Sequence, residues 1–158
     1  MLKYLKLLLL IILLNSNFVN AQSNEVILSE KGLNFKNPQI LYKDKNSKMA
    51  SAYLEIENTN NFNEKLLYVT GDISNNIQIH NTKMIDGVMK MYEVKNGIDI
   101  NKSSRFIFEP GKYHIMIMGI NQTFSEDNYN LNLVFKESKI ISINFEALSY
   151  EKKLKMAH

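Results

Sequence analysis

The 158-residue chain has no cysteine, and that absence closes several chemistries together. No disulfide can staple the fold, so a hydrophobic core must hold it alone. No thiolate can act as a nucleophile, as a lipoprotein anchor point, or as the sulfur of a His2Cys electron-transfer copper site. Histidine is scarce, with three in the chain, and neither His80 nor His114 stands in a Ser-His-Asp context that could activate a serine. The chain therefore reads as a non-enzyme. Strong charge is missing too: with Lys3 and Lys6 set aside as part of a leader, 17 basic residues face 16 acidic ones. That balance is far from the basic stripe that nucleic-acid binding needs. Beyond the leader no run of 18 apolar residues occurs, so no membrane span is expected in the mature form. There is no internal repeat, and no linker rich in Pro, Gly or Ser.

What is present begins with the leader. Lys3 and Lys6 precede an unbroken apolar stretch, Leu7 to Leu14, and Val19-Asn20-Ala21 forms a small-residue cleavage site. These are the three parts of a secretory signal peptide, expected over residues 1–21. A single β-sandwich domain is expected over 22–146 and a charged tail, frayed and solvated, over 147–158. "SAYLEIEN" (51–58) alternates Ala52, Leu54 and Ile56 with Tyr53, Glu55 and Glu57, the period of a half-buried strand. "KLLYVTGD", "NIQIH", "VMKMYEV", "RFIFEPG", "YHIMIMGI", "YNLNLVF" and "KIISINFEA" follow at similar spacing, separated by turn signals at Asp86-Gly87, Asn96-Gly97 and Pro110-Gly111. Few stretches look helical. The pattern predicts an all-β protein, a cupredoxin- or immunoglobulin-like antiparallel β-sandwich.

Methionine and histidine are unevenly placed. Of the methionines after Met1, Met84, Met89, Met91, Met116 and Met118 fall between residues 84 and 118, with His80 and His114 beside or among them. In "YHIMIMGI" (113–120) Ile115 and Ile117 read as core, while His114, Met116 and Met118 occupy the other face. A tight Asp86-Gly87 turn pairs Ile85 with Val88 and Thr82 with Met91, leaving His80 the diagonal neighbour of Met91 at roughly 7–8 Å. The Pro110-Gly111 turn is expected to send "RFIF" back along "HIMIM". Two hairpins then supply two ligands each. Thioether with imidazole favours Cu(I), where zinc would take Cys or carboxylate and calcium or magnesium would take oxygen. Met84, Met89 and Met118 serve equally as core filling or as packing around such a site. Met156 and His158 in the tail are a weaker candidate for an accessory site.

The same residues resemble the periplasmic copper chaperones of the PCuAC family, whose pattern is His, ten residues, Met, about 21 residues, then His-x-Met. Here ten residues separate His80 from Met91, and 22 separate Met91 from His114-Ile115-Met116. "IHNTKMIDGVMKMYEV" and "EPGKYHIMIMGI" resemble the two motif blocks of the family, and "SAYLEIEN" its opening strand, so that the likeness runs from about Met49 to Phe145. The chain departs from the pattern by the one extra residue before His114 and by Lys112, where the family usually has glycine. The resemblance implies a periplasmic, monomeric chaperone that holds one Cu(I) per chain through His80, Met91, His114 and Met116. It also implies delivery to the copper centre of cytochrome c oxidase subunit II, alongside a Sco-type thiol protein. The rival expectation is an exported immunoglobulin-like scaffold module whose Met-rich face packs against a protein partner.

Overall fold

The structure is a computed structural model that describes residues 26–125 and 127–156. The expected signal peptide and His158 lie outside the described residues. Eleven strands are present: β1 (Val26–Glu30), β2 (Leu33–Tyr42), β3 (Met49–Asn58), β4 (Glu64–Thr70), β5 (Asn76–Ile85), β6 (Val88–Glu93), β7 (Ile98–Ile100), β8 (Ser104–Phe108), β9 (His114–Met118), β10 (Asn128–Phe135) and β11 (Ile140–Ser149). Alternation decides which side of each strand is buried. In β3 Ala50, Ala52, Leu54 and Ile56 turn inward, in β9 Ile115 and Ile117, and in β11 Ile141, Ile143 and Phe145. Each lost side-chain area stabilises the fold by about 25 cal/mol per Å² of apolar surface.

The strands form one continuous sheet in the order β6-β5-β9-β3-β2-β11-β10-β4-β7, with β1 added to β2 and β8 to β3. The sheet folds back on itself: residues from both of its ends, such as Ile79, Ile115 and Ile117 from one and Leu131, Leu133 and Phe145 from the other, share a single core. This is the expected β-sandwich. It is not antiparallel throughout, because β2 pairs with β11 in parallel, Gln39 to Tyr42 against Glu146 to Ser149. A register shift in β2 between Lys36 and Gln39 accompanies the change of neighbours, with Asn37 at φ 51°, the strand-bending behaviour of a bulge.

The hairpin expected at Pro110-Gly111 does not form. Strands β8 and β9 do not pair with each other; both lie along the same edge of β3, with Leu54 opposite Phe108 and Ala52 opposite Ile115. The chain leaves that edge after Phe108, makes a small loop closed by the Glu109 N–H on the Tyr113 carbonyl at 2.8 Å, and rejoins it. This detour frees the other edge of β9 for β5.

Strand β11 runs through Ser149, beyond the boundary expected at 146. The segment after it, expected to be frayed, is a short helix α1 (Tyr150–Met156) with no buried residue. Ser149 Oγ accepts from the Lys152 N–H at 3.2 Å, an N-cap bond, and Glu151 pairs with Lys155 one turn on at 2.7 Å. Among the described residues no helix is long and apolar enough to cross a membrane.

Candidate metal centre

The site is assembled by three neighbouring strands. Asp86 (φ 53°) and Gly87 (φ 75°) have the paired positive φ values of a two-residue type I′ turn, whose twist suits a hairpin. The turn fixes the β5–β6 register as the sequence predicts: Ile85 opposite Val88, Met84 opposite Met89, Thr82 opposite Met91. Strand β9 lies on the other edge of β5, where His80 stands opposite His114 and Gln78 opposite Met116. Since Ile79, Ile115 and Ile117 face the core, the alternate positions His80, His114 and Met116 share the outward face with Met91.

Both imidazoles are oriented from behind. His114 Nδ1 is 2.9 Å from the Lys112 carbonyl oxygen. That oxygen can only accept, so Nδ1 carries the proton and Nε2 of the neutral ring is a bare lone pair. His80 Nε2 is 2.8 Å from Gln78 Oε1, which places its proton on Nε2 and leaves Nδ1 bare. The two rings meet at 5.8 Å between centroids and 69° between planes.

These bare nitrogens have no protein donor. His114 Nε2 faces Met91 Sδ at 3.1 Å, so that with the ring neutral two lone pairs converge. His80 Nδ1 is buried without any hydrogen-bond partner, a condition that native proteins rarely leave unexplained. The one comparable atom among the described residues, Glu55 Oε1, has Lys36 Nζ at 3.5 Å to balance its charge. Burial, then the neighbouring His114, hold the His80 imidazole below its ordinary pKa, with Glu93 acting weakly the other way. His80 therefore stays neutral further into acid and keeps its lone pair available. Such an arrangement can donate electron pairs to a soft cation.

Of the four predicted residues, three come into contact: Met91 lies over His114, which is 6% exposed while Met91 is 52% exposed, and His80 abuts His114. Met116 shares the face, but its sulfur rests beside the Ser51 hydroxyl at 3.8 Å instead of against the imidazoles. Three further residues orient the site. Gln78 acts along its own strand, two residues before His80, and Ser51 from the neighbouring strand, opposite Met116. Lys112 acts through its backbone oxygen, which any residue there would supply, while its exposed side chain pairs with Glu109 at 2.7 Å. Among the described residues no three His, Cys, Asp or Glu side chains stand together as a metal set. Any metal held here depends on thioether sulfur.

Residues 33–147 match a family described as "Putative lipoprotein LpqE-like". A curated protein, "Putative lipoprotein Lxx21020" of Leifsonia xyli subsp. xyli, is 31% identical over 74 residues, a stretch that spans 47% of this chain and 45% of that protein. The chain thus matches less than half the length of this relative. Among solved structures, the copper-bound PCuAC domain from PmoF2 superposes with a TM-score of 0.64 at 15% identity, over 77% of this chain and 97% of that one. The solution structure of CuI-DR1885 from Deinococcus radiodurans gives 0.55 at 15% identity, over 85% and 86%. At such identities these likenesses speak for the fold, the cupredoxin-like sandwich that the resemblance to PCuAC implied. The family match covers well over half of the chain, and the protein belongs to the LpqE-like family, on the β-sandwich it shares with PCuAC domains.

Proposed function

We propose that the protein binds one Cu(I) ion through His80, Met91, His114 and Met116 and carries it outside the cytoplasm as a copper chaperone. The observation that carries this reading is the bare His114 Nε2 facing the Met91 sulfur at 3.1 Å, beside a second imidazole, that of His80, whose Nδ1 has no partner. Neutral imidazole with thioether is a soft set suited to Cu(I), and each ring is held by a backbone or amide oxygen, as metal-bound histidines usually are. That two solved proteins with this fold are named as copper-bound or as CuI forms supports the choice of metal. Delivery to the copper centre of cytochrome c oxidase subunit II, beside a Sco-type thiol protein, fits a carrier without cysteine. Such a carrier moves the ion without reducing anything, and the exposed Met91 is the ligand an acceptor could replace first.

The test is anaerobic titration of the apo protein with Cu(I) in competition with a cuprous chelator. One equivalent should bind. Met91→Leu and Met116→Leu keep the apolar volume and should each weaken binding by about tenfold or more, as loss of one ligand worth ~1.4 kcal/mol would. His80→Gln and His114→Gln should weaken it further. A parent protein with no stoichiometric binding would sink the reading. It would leave the scaffold module, which one observation favours: the exposed apolar tip formed by Met84, Ile85, Val88 and Met89.

A further inference from the structure

Six methionines, Met49, Met84, Met89, Met91, Met116 and Met118, lie on one face of four adjacent strands. Met49 stands opposite Met118, and Ser51 opposite Met116; Met84 stands opposite Met89, and Thr82 opposite Met91. Two of these residues belong to the centre described above. The other four form two cross-strand pairs, one on each side of it.

The pair on the β5–β6 hairpin is the more open. Met84 is 62% and Met89 52% exposed, and every residue of β6 is exposed. An edge strand in water ordinarily carries charge, which blocks unwanted pairing. The opposite face of this same hairpin does so: Lys83 stands across from Lys90, and Lys83 Nζ lies 5.6 Å from the centre of the Tyr92 ring. The face toward the centre carries thioethers in place of lysines. Packing does not explain them, since at that exposure there is little to pack against.

The geometry points to a second soft-metal site at this tip, in which the sulfurs of Met84 and Met89 hold Cu(I), or its surrogate Ag(I), more weakly than the imidazole-containing centre does. Side chains directly opposite on paired strands have Cβ atoms about 4.5–5.5 Å apart. A two-coordinate ion with metal–sulfur bonds of about 2.3 Å, as for zinc thiolates, needs sulfurs separated by about twice that, which two flexible thioethers at this spacing can supply. Met89 is two residues from Met91 on the same face, so an ion held at the tip lies next to the exposed ligand of the main centre. Like the proposed function this inference concerns a soft cation, but it rests on different residues.

The probe is Ag(I) alone, added to the full chain labelled with 13C at the methionine methyl groups and followed by NMR. The Met91 and Met116 methyls should shift over the first equivalent. Met84 and Met89 should then shift together as more is added, and Met84→Leu/Met89→Leu should abolish that second stage while leaving the first. Met84→Leu alone should weaken the Met89 response about tenfold, because chelation is lost; an unchanged Met89 response would overturn the paired site. A response confined to Met91 and Met116, however far the titration runs, would also overturn it while sparing the main centre. A response at Met84 and Met89 without one at Met91 and Met116 would uphold the tip site and remove the four-ligand reading. Leucine keeps the tip apolar, so a second stage that survives in the double variant would show that the thioethers are not its ligands.

Discussion

Buried polar side chains in this protein divide by whether their atoms are satisfied. Glu64 is 2% exposed, yet its carboxylate accepts from the backbone N–H groups of Lys65 at 2.8 Å, Glu137 at 3.0 Å and Ser138 at 2.8 Å. It is a structural pin between β4 and the β10–β11 turn. Burial pushes its pKa up, but those N–H groups and the Ser138 hydroxyl outweigh burial and hold it below the ordinary value of 4.5. A folded pKa below the unfolded one means that the stabilisation is present above pH 4.5 and is lost as pH falls through the folded value. Urea unfolding between pH 7 and pH 3 should therefore show a falling stability. Glu64→Gln should be less stable at pH 7 by about 1–3 kcal/mol, since a buried acceptor is weakened, and should lose less on acidification. Equal acid slopes in the two proteins would mean that Glu64 is not the titrating pin. His80 Nδ1 is the opposite case, buried and unsatisfied, and that is why it is proposed for binding and not for stability. Asn58 shows how little a sequence says about such atoms. In "NTNNFNEK", which reads as a plain polar connection, Asn58 is the one buried asparagine, donating to the carbonyls of Phe62 at 3.0 Å and Ile100 at 3.2 Å. Its place two residues beyond Ile56 continues the inward phase of "SAYLEIEN", but its residue type gives no sign of the carbonyls it meets.

Two turns of similar sequence had different outcomes at the level of elements, and the difference explains what could be read in advance. Asp86-Gly87 joins strands that pair with each other, so a two-residue turn fixes every opposite pair from Ile85–Val88 to Thr82–Met91, and the local sequence sufficed. Pro110-Gly111 bends the chain equally well, with Gly111 at φ 79°, but turn residues say where a chain bends and not which strand it meets next. The next partners, β3 and β5, are distant in sequence, and so the placement of His114 directly across from His80 was not legible even though both residues stood out as candidates. The hairpin also isolates one of the proposed ligands, because Met91 alone of the four comes from β6. Gly87→Ala places an L-residue at φ 75°, where no neighbour obstructs the added methyl but the backbone conformation costs about 1–2 kcal/mol. The variant should lose about that much stability in urea unfolding, and its Cu(I) affinity should fall toward that of Met91→Leu as β6 loosens. Parent-like affinity with a weakened hairpin would remove Met91 from the ligand set.

Across the whole molecule, the class of fold was legible because one-sided burial leaves a period-two record in nearly every strand, from "SAYLEIEN" to "KIISINFEA". The parallel β2–β11 pair was not, since alternation does not encode the identity of a neighbour. Nor was α1, whose stability is local: a Ser149 cap and a Glu151–Lys155 pair, with no apolar face to announce it. The centre sits on top of this scaffold and is not part of what closes it. His80, His114 and Met116 alternate with Ile79, Ile115 and Ile117, and the isoleucines pack into a core drawn from both ends of the sheet. Folding and ion binding should thus be separable, unlike the case of small zinc domains that are unfolded without metal. The apo protein should unfold cooperatively on heating. Cu(I) should raise the transition by mass action, adding about 2.7 kcal/mol at a free concentration one hundred times its dissociation constant. His80→Gln should keep the apo transition near that of the parent, because replacing a half-buried outward ring leaves the isoleucine layer intact, and should lose most of the Cu(I)-induced rise. An apo protein without a cooperative transition would place the metal within the folding core and contradict the separation of scaffold from site, and a His80→Gln variant that keeps the full rise would remove His80 from the proposed metal set.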